Sequence, residues 1–311
     1  MTDTVLVLAW LVFAHLVADF VLQNDWIALN KGTGGRGGWA ALATHGLHVA
    51  LCLLPAVFVF GLPGVVYVIV VGGSHVLVDR WKVRATRRAE AAALESARRR
   101  HALGDLPSSG LGNAWTPWPG MLFLADQFLH MTFALVGWLV ILRGVGYLGG
   151  FVDAVNLVLR DWDRAEVHAV VLTVIVLLSL FLVNTRGAYY FVLSLASPRD
   201  VPPAPVRDPD APAAAPLPTP RPALVSAMPS GASLRIAATT SAIERLLIVA
   251  LVLTGNMAAA ALVVLAEVLA HFRQLDDRRY LEYFLLATSG SVMVALFSGI
   301  VAQAALSTLG G

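Results

Sequence analysis

Eight residues able to bind a metal or move a proton recur in four short motifs within the first 130 residues. HLVADF carries His15 and Asp19, THGLH carries His45 and His48, SHVLVD carries His75 and Asp79, and DQFLH carries Asp126 and His130. Imidazole nitrogen and carboxylate oxygen are the usual donors to divalent cations such as zinc. They are also the groups that relay protons. Three of the motifs set a His and an Asp four residues apart, which puts both on one face of a helix, about 6 Å apart along its axis.

The setting of these motifs is apolar. Of the 311 residues 58% are hydrophobic and 14% charged, and the mean hydropathy is +0.73, far from the composition of a soluble domain. Runs long enough to cross a hydrocarbon core of about 30 Å are predicted at Val5 to Leu22, Trp39 to Phe60, Gly64 to Asp79, Pro119 to Leu142 and Val167 to Ala196. Ser241 to Phe272 is too long for one upright helix and reads as a hairpin breaking at Gly255-Asn256, and Tyr283 to Leu306 gives a final span. The first run lacks the basic start and small-residue cleavage site of a secretory signal, so it reads as a retained span. The fold class is therefore all-α, a polytopic transmembrane helical bundle with about seven or eight membrane segments.

The chain divides accordingly. Residues 1–143 form a four-helix core with the His/Asp cluster and a basic loop at 80–118. Residues 144–196 hold an external loop and the fifth helix. Residues 197–235, rich in Pro and Ala, read as a disordered linker, and 236–311 as the hairpin and last helix. Arg80 to Leu103 carries eight Lys or Arg against two Glu, which assigns it to the cytoplasm. It reads as a surface helix or as an extension of the third span. The amino terminus then lies outside, Lys31 and Arg36 inside, the acidic loop with Asp153, Asp161, Asp163 and Glu166 outside, and the linker at 197–235 inside. The expected location is the bacterial cytoplasmic (inner) membrane. Lipid alone explains the basic stretch, so no nucleic-acid partner is called for.

With that topology all four motifs fall at one depth, in the inner half of the membrane. The two inward-running helices read HxxxD and the outward-running fourth reads DxxxH, so each His is the deeper member. A shared layered site requires this reversal and scatter does not. The predicted metal ligands are His15, Asp19, His45, His75, Asp79, Asp126 and His130, with His48 and Gln23 assisting catalysis. Zinc is the leading cation, with manganese and iron as the others. The surplus over the four ligands of one zinc leaves open a two-metal centre or carboxylates that orient the imidazoles. Interhelical hydrogen bonds that only hold the bundle together are the competing reading.

The motifs HLVADFVLQNDWIALNK, THGLH, SHVLVD and DQFLH together resemble an uncharacterised family of bacterial integral membrane proteins, a domain of unknown function, over about residues 10 to 135. AIERLLIVALVLTG and EYFLLATSGS resemble the carboxy-terminal region of longer members, with Glu267 standing where a lysine is expected. The His/Asp style is more loosely similar to membrane-bound metal-dependent hydrolases. Three functions follow as expectations: a metal-dependent hydrolase of a lipid-like or phosphoester substrate at the cytoplasmic side, with membrane lipid as its partner; an ion, proton or metal transporter; and a structural membrane protein. A di-iron oxidase is a variant of the first. Gly32, Gly34 and Gly37 satisfy GxGxxG, but no strand precedes them, so KGTGGRGG reads as a loop. Cys52, the single cysteine, implies neither a disulfide nor a thiolate site. Oligomeric state is not readable.

Overall fold

The computed structural model describes residues 4–33, 35–103, 110–200 and 231–309, with side chains from 238 onward in the last segment. In chain order the helices are α1 (Thr4–Val17), α2 (Asp25–Asn30), α3 (Gly35–Leu53), α4 (Pro55–Phe60), α5 (Leu62–Ala102), α6 (Trp118–Gly137), α7 (Gly149–Val158), α8 (Arg164–Leu182), α9 (Ala188–Ala196), α10 (Gly231–Leu253), α11 (Met257–His271) and α12 (Arg278–Ser307). Wider π-helical turns extend α1 over Ala18–Leu22, extend α6 over Trp138–Leu142 and join α8 to α9 over Val183–Gly187. Among the described residues no strand occurs, and six helical segments are long and apolar enough to cross a membrane. The exterior carries Phe58, Ile69, Phe128, Val140, Phe181 and Phe297, all exposed. Such a surface suits lipid, which leaves backbone polar groups to be satisfied within helices. The chain is a helical membrane protein.

The run from Trp39 to Phe60 is broken at Leu54-Pro55 into two helices. Pro55 has no N–H to continue α3 and starts α4 instead, a position its fixed φ suits. Gly61 then turns the chain at φ +64°. The third run lies within a single 41-residue helix, α5, about 60 Å long at 1.5 Å per residue and so roughly twice the hydrocarbon thickness. Of the two readings of the basic stretch, the extension of the third span is the one observed. The break expected at Gly255-Asn256 lies between α10 and α11, with Gly255 at φ +77°. Helix α10 begins at Gly231, so the last five residues assigned to the linker are helical; 201–230 fall outside the described residues.

Two hydrophobic clusters organise the bundle. One joins α1 and α3 to α6 through Leu11, Ala14, Val49, Leu53, Phe60, Tyr67, Val71, Ala134 and Trp138. The other joins α8, α10 and α12 through Leu172, Val176, Leu180, Ile248, Val252, Ala295 and Ala302, with Val5, Leu6 and Ala9 of α1 packed against it. Helix α1 is therefore common to both. Helix α3 closes on α5 at Gly46, where a Cβ would stand 2.6 Å from a methyl of Val76. That close approach lies one residue from both His45 and His75.

Candidate metal centre

Four helices meet at one end of the first cluster, and each brings one of the sequence motifs. His15, His45, His75, Asp79, Asp126 and His130 are buried, and the Asp19 side chain is 9% exposed. Helix α1 supplies His15 from its last regular turn and Asp19 from the π-turn that follows. Such turns widen the helix and recur at functional sites. Here the widening directs the Phe20 carbonyl to Arg186, whose Nη1 donates to it at 2.9 Å from the π-turn between α8 and α9. The turn that carries Asp19 is thus held from outside the four-helix core.

At the centre three ligand atoms converge. His45 Nε2 and His75 Nε2 are 3.0 Å apart, and Asp19 Oδ1 lies 3.3 Å from the first and 3.1 Å from the second. Asp79 Oδ2 stands 3.4 Å from His45 Nε2. Tetrahedral coordination with metal–nitrogen and metal–oxygen bonds of about 2.0–2.1 Å places neighbouring ligand atoms about 3.3 Å apart. A proton shared between the two imidazoles also brings their Nε2 atoms to 3.0 Å, but it leaves Asp19 Oδ1, buried and without a hydrogen-bond partner, unsatisfied. The donor set therefore fits a divalent cation.

Around these atoms lies a polar frame. Gln127 Nε2 donates to Asp19 Oδ2 at 3.1 Å and to Asp126 Oδ2 at 3.3 Å. Its Oε1 must then accept from His15 Nε2, 3.1 Å away. Lys31 Nζ donates to both oxygens of Asp79, at 3.1 and 3.2 Å, and to Gln23 Oε1 at 2.8 Å. The short α2 aims this lysine: Asn24 caps it by accepting from the Ile27 N–H, and Ile27 is fully buried beneath it. Lys82 Nζ donates to Asp126 Oδ2 at 2.7 Å. On the far side of the imidazoles, His15, His75 and His130 line a small, mostly apolar cavity with Leu11, Val49, Leu53, Val71 and Ala134. Three of the histidines thus face the apolar interior, and Asp79 and Asp126 face the lysines.

Gln23 reaches this frame only through Lys31. His48 is half-buried, and neither a hydrogen bond nor an ion pair joins it to the other seven. The Asp/His reading passed over Lys31, Lys82 and Gln127. Lys82 had a signal, since His75, Asp79 and Lys82 follow at four- and three-residue spacing along one face of α5. Gln127 is a polar residue inside a span beside Asp126. In the glycine-rich loop, Gly32 packs beneath Arg87, whose Nη2 would lie 3.1 Å from a Cβ there; Gly34 lies outside the described residues.

A second polar centre joins the carboxy-terminal helices. Arg245, 2% exposed, donates to the Asn184 carbonyl at 2.6 Å and to the Ser241 and Ser291 hydroxyls at 2.7 and 3.2 Å. Glu267 accepts from the Thr288 hydroxyl at 3.2 Å.

These motifs occupy the segment that decides the comparison with known proteins. Residues 7–146 match a family described as a protein of unknown function (DUF3307). The matched segment holds all seven clustered residues together with Lys31, Lys82 and Gln127, and ends before α7. No curated protein and no solved structure matches the chain.

Proposed function

We propose that this protein is a membrane metalloenzyme which hydrolyses a lipid-like phosphoester at the cytoplasmic face of the bacterial inner membrane. The observation that carries this reading is the convergence of His45 Nε2, His75 Nε2 and Asp19 Oδ1 at mutual distances of 3.0–3.3 Å, with Asp79 Oδ2 alongside. Zinc suits the mixed nitrogen and oxygen donors, and a bound cation would acidify a water and polarise the substrate phosphoryl group. In the reaction the water oxygen bonds to phosphorus, the ester P–O bond breaks, and a proton from the water passes to the departing alkoxide.

The protein's own residues divide the remaining work. Gln127 fixes the orientation of Asp19 and His15, and Lys31 fixes Asp79. Asp79 and Asp126 are paired with Lys31 and Lys82, the latter at the start of the basic extension of α5, where positive charge favours both the cytoplasmic side and anionic headgroups. Clustering at one end of the bundle suits chemistry at one face rather than a path across the membrane.

Elemental analysis of the full chain purified in detergent tests the reading. Wild type is expected to retain zinc at stoichiometric or higher ratio, and His75→Ala and His45→Ala to lose it while remaining monodisperse. Wild type without metal after reconstitution in zinc would refute it. Phosphate release from phospholipid or polyprenyl phosphate vesicles, abolished by chelator, then separates hydrolysis from ion uptake into the same vesicles.

A further inference from the structure

We infer that the centre is binuclear, with a second divalent cation held by Asp126 and His130 and sharing Asp79 with the first. This rests on the metal reading above and assigns groups which that reading leaves without a task. His130 Nε2 lies 3.4 Å from the backbone carbonyl of His75. A carbonyl only accepts, so Nε2 carries the proton and Nδ1 of the neutral ring presents a lone pair. That lone pair meets another acceptor: His130 Nδ1 and Asp126 Oδ2 are 4.0 Å apart. His130 is 3% exposed and Asp126 is fully buried, and both His130 Nδ1 and Asp126 Oδ1 lack a hydrogen-bond partner. His130 Nδ1 and the Asp126 carboxylate, whose Oδ2 accepts from Lys82 and Gln127 while its Oδ1 has no partner, are two buried acceptors with no proton between them, a frame a cation would occupy.

Asp79 links the two positions. It offers a ligand atom within 4.8 Å of those of His45 and His75, and one within 4.8 Å of those of Asp126 and His130. A carboxylate common to both sets is what a pair of ions about 3.5–4 Å apart requires. The second set is looser than the 3.0–3.4 Å spacing of the first, so its ion binds more weakly. Lys82 now holds Asp126 at 2.7 Å and competes for it. The same ammonium already lies over the Phe123 ring, with Nζ 4.9 Å from its centre, a contact that would remain after it gave up Asp126. The inference also narrows the substrate. Two cations side by side match a phosphoester, in which the attacking and the departing oxygen both need positive charge, better than a carboxylic ester.

The experiment is zinc titration of chelator-treated full-length protein by calorimetry, with bound metal counted after gel filtration. Wild type is expected to take two equivalents, the second more weakly, and Asp126→Asn and His130→Gln to take one. Lys82→Gln, which removes the competitor and leaves every ligand in place, is expected to tighten the second ion about tenfold. Saturation of wild type at one equivalent, or two equivalents retained in both ligand variants, would overturn the binuclear centre while sparing the first site. No binding by wild type would instead defeat the metal reading itself.

Discussion

The Nε2 atoms of His45 and His75 lie 3.0 Å apart on different helices, and both lie within 3.3 Å of one oxygen of Asp19. If this triangle holds an ion, cobalt(II) substituted into the chelated protein is expected to give the intense visible absorption of tetrahedral coordination. His45→Ala and Asp19→Asn should each abolish it. Weak octahedral-type bands in wild type would count against the site.

Gly46 sits next to His45 at the closest approach of α3 to α5. A valine there must push against Val76, and overpacking of this kind costs about 1–3 kcal/mol. Gly46→Val is therefore expected to weaken zinc binding at least about tenfold by moving a ligand helix while removing no ligand. Calorimetry checks this, and an unchanged affinity would show that α3 can shift without parting the two rings.

Lys31 is the counter-ion of Asp79, in a pair whose side chains are 11% and 2% exposed. Removing one partner of a buried pair costs about 3–5 kcal/mol. Lys31→Met is expected to lose stability near the lower end of that range in chelator and to recover part of it in zinc, because the cation replaces the lost charge. Thermal unfolding under the two conditions reads the difference. Equal losses in both would detach Lys31 from the site.

Arg186 holds the Phe20 carbonyl next to Asp19 although it lies outside the segment shared with the family. Arg186→Ala should lower zinc affinity about tenfold, as loss of an outer orienting group does. Unchanged affinity would mean that the π-turn keeps its shape unaided.

The assigned sidedness can be checked with introduced cysteines after Cys52→Ser, since Cys52 is the sole native thiol. In intact cells, Asp161→Cys is expected to react with a membrane-impermeant maleimide, and Ala92→Cys only after the membrane is opened. The reverse pattern would invert the topology and move the site to the outer face.

Much of this centre was legible because its ingredients are costly in lipid. An Asp or His inside a span needs partners, and the reversal from HxxxD to DxxxH tied the helices to one depth before any packing was known. Lys31 was hidden because it reaches Asp79 across 48 residues from a loop-borne turn. The π-turn at Asp19 was hidden too, because the hydrogen bond that accompanies it reaches Phe20 from Arg186, far along the chain, and leaves no mark on the residues Ala18–Leu22. The break in the second span could have been read from Pro55, which interrupts an otherwise continuous apolar run.

The pairing of aspartates with lysines also sets an order of events. Asp19, Asp79 and Asp126 against Lys31 and Lys82 leave the cluster one charge negative while its imidazoles are neutral. In that condition it repels a phosphate. One divalent ion turns the balance to plus one, and a second to plus three, in surroundings too apolar to screen it. On the proposed function metal would therefore precede the anion, and the loaded centre would draw in a negative headgroup that the bare protein repels.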